Sequence, residues 1–139
     1  MFSEFVAQNL IWVAAFVILF NLLLFSFVQG NIRGASMVSA LELPQLQRDG
    51  KSVIIDVNDE KEFATAHIPD ASNFPLSSIN EQNSALLKHK DNTVILTCQT
   101  GTKSLKAAKT LVGLGFSDVH ILRGGLFNWT KENLPVVSN

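Results

Sequence analysis

This chain of 139 residues has one cysteine and three histidines, and no surplus of either charge. Lys and Arg number 11 against 12 Asp and Glu, a formal net charge of -1. A single cysteine excludes an internal disulfide framework, a CxxC redox pair and a cysteine-based zinc site. The balanced charge lacks the bulk basic field of a nucleic-acid binder, so no nucleic-acid partner is expected. His67, His89 and His120 have no ligand spacing, and neither a metal nor another cofactor is expected. Internal repeats and low-complexity tracts are also missing. The length suits one domain of ordinary size plus a short appendage.

Charge is absent locally as well. From Phe5 to Ile32 there is no Asp, Glu, Lys or Arg, and Leu10 to Val28 is nearly all Leu, Ile, Val, Phe and Ala, broken by Asn21 and Ser26. As a helix that stretch covers roughly 28 Å, enough for a bilayer core. Trp12 stands near its start, as an interfacial aromatic would. A secretory signal needs a positive leading region, whereas Glu4 and no basic residue precede this run. A helix apolar on every face suits lipid better than the core of a small domain. The expectation is a single transmembrane anchor over about residues 10–28, within an anchor and linker spanning 1–35, followed by a soluble domain over 36–139. Arg33, Arg48 and Lys51 follow the span and no basic residue precedes it, which places the domain in the cytoplasm. Asn21 and Ser26 are candidate contacts with another membrane protein or a second copy.

Beyond a linker read over Gln29 to Val38, strands and helices alternate. Ser39-Ala40-Leu41-Glu42 has capping-box spacing and predicts a short helix, with Pro44 awkward inside it and Gly50 ending it. Ser52–Val57, Thr93–Thr97 and Val119–Leu122 are short β-branched or aliphatic runs without alternation, the mark of strands buried on both faces. Ala71–Leu76 reads as a short extended piece. Helices are expected from Asp59 through Phe63, over Glu81–His89, over Ser104–Val112 and over Gly125–Asn133. This alternation predicts an α/β fold with a parallel sheet.

Cys98 closes the run Val94-Ile95-Leu96-Thr97 and opens the loop Gln99-Thr100-Gly101-Thr102-Lys103-Ser104 before a helix. Strand, small-residue loop and helix together surround a site with backbone N–H groups and the positive end of a helix. A thiol there is favoured as thiolate, the reactive form. Ligands of parallel sheets bind at strand carboxyl ends, which is where Cys98 stands.

These residues resemble the rhodanese-like domain family over roughly Ser36 to Pro135. The matching pieces are Ile54-Ile55-Asp56-Val57, Glu62-Phe63, and His67-Ile68-Pro69 with Ala71, Asn73 and Pro75. They continue with Cys98 to Ser104, then Leu114-Gly115-Phe116, Val119, Leu122, Gly124-Gly125, Trp129 and Leu134-Pro135. The resemblance is to a single-domain rhodanese tethered by one N-terminal helix to a bacterial cytoplasmic membrane. It implies a five-stranded parallel sheet flanked by helices, and passage of a sulfane sulfur from a donor to a thiol or other nucleophilic acceptor. Cys98 would carry it as a persulfide, with Gln99, Thr100, Gly101, Thr102 and Lys103 binding the anionic sulfur. Three positions depart from the family pattern: Asn58 and Lys103 where Arg is common, and Asp70 where Gly is usual. Lysine offers a point charge where arginine offers a planar fork.

Other assignments remain open at this stage. Lys103, Lys106 and Lys109 also have the spacing of a solvated helix stripe. Asp56, ending a buried strand, is read as structural, and His67 as a residue that holds loops together. His89 is read as solvated. A membrane-tethered interaction module that kept the fold and lost the chemistry is the main alternative to a sulfurtransferase. A thiolate phosphatase is disfavoured, because four residues separate Cys98 from Lys103, one fewer than the related phosphatase loop.

Overall fold

The computed structural model describes residues 1–30, 34–48 and 50–139, which form two compact units, Met1–Asn31 and Ile32–Asn139. Asn31, Ile32 and Arg33 lie outside the described residues, and with them the middle of the expected linker and one basic flank of the span.

The first unit is helical. α1 (Phe2–Gln8) ends at Asn9, whose Nδ2 donates to the Phe5 carbonyl at 3.0 Å, and α2 (Leu10–Gly30) follows. Apolar side chains cover every side of α2, and none of Leu10–Phe27 is buried. By length and composition it is the one helix among the described residues able to cross a membrane. Asn21 turns its amide onto its own helix, donating to the Val17 carbonyl at 2.7 Å.

The second unit is a five-stranded parallel sheet, β1 (Ala35–Val38), β2 (Ser52–Asp56), β3 (Ser72–Asn73), β4 (Thr93–Thr97) and β5 (Val119–Leu122), in the order β1-β5-β4-β2-β3. Helices cover both faces, which is why the central strands carry unbroken apolar runs. One face of β2 and β4 sends Ile55, Val94 and Leu96 into a core with Ala107, Ala108 and Leu111 of α6 (Thr102–Gly113). The other sends Ile54 and Ile95 against Leu43, Leu126 and Trp129, from α3 (Leu43–Gln47) and α7 (Gly125–Lys131). Trp129 also anchors the chain beyond α7, its Nε1 donating to the Pro135 carbonyl at 2.8 Å.

Several expectations are corrected. Residues 35–38 belong to the sheet rather than to a linker: β1 pairs in register with β5 from Ala35 opposite Val119 to Val38 opposite Leu122. The first helix of this unit starts at Leu43, not Ser39. Glu42 still reaches back to the Ser39 N–H at 3.0 Å, but this closes a turn, and Pro44 sits in the first helical turn, where a missing N–H costs nothing. The helix expected over Glu81–His89 shrinks to α5 (Ser84–Leu87), because Asn83 caps it, accepting from Leu86 N–H at 3.1 Å. His89 is half-buried, edge-on to Phe74, and burial together with Lys88 lowers its pKa from 6.5.

Strand order fixes where a ligand can bind. From β2 the chain moves outward to β3, and from β4 it moves the other way to β5. The loops leaving β2 and β4 therefore diverge from adjacent strands, and the crevice between them is the topological switch point where open α/β sheets hold ligands.

Candidate active site

Cys98 follows β4 at that crevice. It is 2% exposed, and its Sγ accepts a hydrogen bond from the Gly101 N–H at 3.0 Å. Gly101 is the N-cap of α6 with φ +100°, a left-handed conformation that turns its N–H back over the sulfur. The sulfur thus meets both a backbone donor and the positive end of a 12-residue helix, an arrangement that stabilises negative charge. A second backbone brace comes from the start of α7. Leu126 N–H donates to the Cys98 carbonyl at 2.7 Å, and Phe127 N–H to the Gln99 carbonyl at 3.0 Å. Gly125 makes this docking feasible, since a Cβ there would overlap the Cys98 carbonyl oxygen, and its φ is +58°.

The opposing wall is built on β2 and α4 (Glu60–Thr65). Asp56 accepts from the Asn58 N–H at 2.8 Å, closing the turn that leaves β2, as expected of a structural carboxylate. Burial raises its pKa above 3.8, opposed by the Asn58 N–H and by the charge of His67. Asn73 braces the turn further, its Nδ2 donating to the carbonyls of Asp56 at 3.1 Å and Asn58 at 2.8 Å. His67 holds loops together: it stacks on Phe63, ring nitrogen Nδ1 lies 2.7 Å from the Phe63 carbonyl, and its backbone forms a two-bond bridge with Val137. His120 belongs to the far end of β5, between Ser36 Oγ at 2.9 Å and Asp118 at 2.7 Å.

Between the walls lies a pocket of about 350 Å³ lined by Cys98, Gln99, Thr100, Thr102, Lys103 and Lys106 on one side and by Asn58 and Glu62 on the other. Five of the six loop residues expected to form the site therefore line one cavity, and Gly101 reaches the sulfur from behind. Lys103 Nζ lies 3.5 Å from Glu62 Oε2 across the pocket. Lys106 shares the pocket and Lys109 does not. Asn58 is 1% exposed, and although its amide lies beside the Asp56 carboxyl, neither Nδ2 nor Oδ1 completes a hydrogen bond. Glu62 Oε2 is likewise buried without a hydrogen bond. Sequence reasoning placed Glu62 at a helix start and Asn58 only as a departure from a pattern. Their position beside β4 was the missing signal. Among the described residues no three His, Cys, Asp or Glu side chains converge on a metal-sized site.

Comparison with known proteins agrees with this geometry. The model of the rhodanese-like domain matches residues 39–132. The chain is similar to the uncharacterized protein YibN of Escherichia coli, 28% identical across 96% of this chain and 94% of that protein. It is similar to a sulfurtransferase of Allochromatium vinosum, 31% identical across 73% of this chain and 94% of that one. Against the uncharacterized protein slr1261 of Synechocystis identity is 35% over 68% of this chain, which spans about half (52%) of that protein's length. Among solved structures, a rhodanese-related protein from Thermoplasma volcanium superposes with a TM-score of 0.64 at 25% identity, over 75% of this chain and 99% of that one.

Proposed function

We propose, from the premise that this chain belongs to the rhodanese-like domain family, that it is a membrane-anchored sulfurtransferase or persulfide carrier working through Cys98. The observation that carries this reading is the Gly101 N–H on Cys98 Sγ at the head of α6, inside the pocket. The thiolate attacks the outer sulfur of a donor. A bond forms between Sγ and that sulfur, the donor's own bond to it breaks, and the electron pair leaves with the donor remnant. The Cys98 persulfide then yields its outer sulfur to a thiol or other nucleophile, and the thiolate returns. The Gly101 N–H and the start of α6 stabilise whichever sulfur is anionic, and Lys103 orients the donor. α2 anchors the domain at a bacterial inner membrane, facing the cytoplasm.

Intact-mass measurement of the full chain after incubation with thiosulfate or an organic persulfide tests the chemistry. Wild type gains one sulfur that cyanide or dithiothreitol removes, and Cys98→Ser gains none. An unchanged wild-type mass leaves the fold as an interaction module, a second reading that the deep burial of the thiol favours. Protease added to intact spheroplasts tests the topology: the domain stays uncut if it faces the cytoplasm, and external digestion overturns that placement.

A further inference from the structure

We propose that Glu62 is a charge filter for the Cys98 pocket, turning away doubly charged anions such as thiosulfate and favouring donors that bring one negative charge or none, organic persulfides in particular. This rests on the reading of Cys98 as the sulfur-accepting thiolate. The pocket wall carries two ammonium groups, Lys103 and Lys106, and one carboxylate, Glu62. Asn58, which also lines the pocket, is neutral. The carboxylate is not quenched by hydrogen bonding, for Glu62 Oε2 is buried with no hydrogen-bond partner. Lys103 Nζ stands off at 3.5 Å, and the two side chains are 39% and 43% exposed, so this pair is loose. Two consequences follow for an entering anion. It must share Lys103 with a carboxylate already in place, and it meets Glu62 itself, whose repulsion scales with the charge the anion brings. A dianion bears that repulsion twice over. A persulfide R–S–SH enters with a single charge when ionised and none when protonated.

The corresponding step is balanced without a co-reactant. Cys98 Sγ, as thiolate, attacks the outer sulfur of R–S–SH. The new S–S bond forms on Cys98, the donor's own S–S bond breaks, and its electron pair departs on the inner sulfur as the thiolate RS⁻ while the proton stays on the transferred sulfur.

Sulfate, an unreactive dianion, separates this proposal from the chemistry. The full chain in nonionic detergent is titrated with sulfate and followed at the Gly101 amide resonance. Glu62→Gln is expected to tighten sulfate on the order of tenfold, the size of one unit charge removed a few ångströms away at a partly exposed site. Adding Lys103→Gln to that variant cancels the gain, and Glu62→Ala moves affinity in the same direction as Glu62→Gln. In kinetics, the ratio of kcat/KM for thiosulfate to that for the persulfide of N-acetylcysteine methyl ester, which has no carboxylate, rises by a similar factor in Glu62→Gln. A sulfate affinity in Glu62→Gln and Glu62→Ala within twofold of wild type overturns the proposal. If sulfate tightens as expected and no donor loads Cys98, the sulfur-transfer reading fails and the anion filter stands.

Discussion

Two loops leave neighbouring strands into one crevice, and they are built in opposite ways. The loop after β4 works through its backbone: Gly101 N–H reaches Cys98 Sγ, and the carbonyls of Cys98 and Gln99 are held by the N–H groups opening α7. The loop after β2 works through side chains, and its polar atoms are left partly uncommitted: the Asn58 amide is buried without a hydrogen bond, and Glu62 Oε2 has no hydrogen bond beyond its loose ion pair with Lys103 at 3.5 Å. A nucleophile needs a fixed setting, and main-chain groups give one at no cost in side-chain freedom. Recognition needs groups still free to bond, and unsatisfied buried atoms cost free energy in the empty site that an occupant returns. Under the proposed function, this division gives fixed chemistry to one wall and selectivity to the other.

Breaking the backbone wall gives the largest effect. Gly125→Ala forces a Cβ onto the Cys98 carbonyl at a left-handed position, and about 3 kcal/mol of stability is lost. Urea titration measures the stability, and the persulfide-loading rate falls with it. A variant as stable as wild type shows that α7 is not locked to the loop. Lys103 sharpens the contrast, because it projects from the backbone wall to the side-chain wall. Lys103→Ala raises the KM for thiosulfate about tenfold, and Lys103→Arg lowers it severalfold through a bidentate grip. Steady-state kinetics unchanged in both variants return Lys103 to the role of a solvated helix residue.

The smallest effect concerns Asp56, which closes the other loop. Its raised pKa means the folded protein holds that proton more tightly than the unfolded chain. The stability this contributes is complete below pH 3.8, and it is lost as pH rises through the folded value. Asp56→Asn keeps an acceptor for the Asn58 N–H and removes the titration. The difference in unfolding free energy between variant and wild type therefore shifts in the variant's favour over that window. A pH-independent difference shows the carboxyl is not desolvated.

The backbone wall was far more legible in the sequence than its counterpart. Val94 to Thr97 is a short buried run, Cys98 ends it, and Gly101 is a residue that tolerates the turn a helix start requires, so the candidate site is legible in local pattern. Asn58 and Glu62 belong to the site only because β2 lies beside β4, and strand order is a long-range property that periodicity does not encode. The same limit hid β1. Ala-Ser-Met-Val has neither the length nor the apolar run of a central strand, and it is extended because β5 offers it partners. α5 fell short for a local reason, since an asparagine cap begins the helix late. Asp70 holds a φ of +68° at a turn where the family usually has Gly. Aspartate is among the few other residues that occupy that region, so the departure leaves the turn intact.

The partnership of β1 with β5 also orders events in time. Ser36 and His120, opposite one another in the sheet, are 84 residues apart in the chain. At about 5–20 residues per second, synthesis of the intervening segment takes roughly 4–17 s, and β1 has no strand to pair with until it ends. Closing so long a loop is entropically costly, and sheets dominated by such distant pairings fold slowly. Until β5 is made, the flank of β4 that it covers stays an open edge, available to any other extended chain nearby.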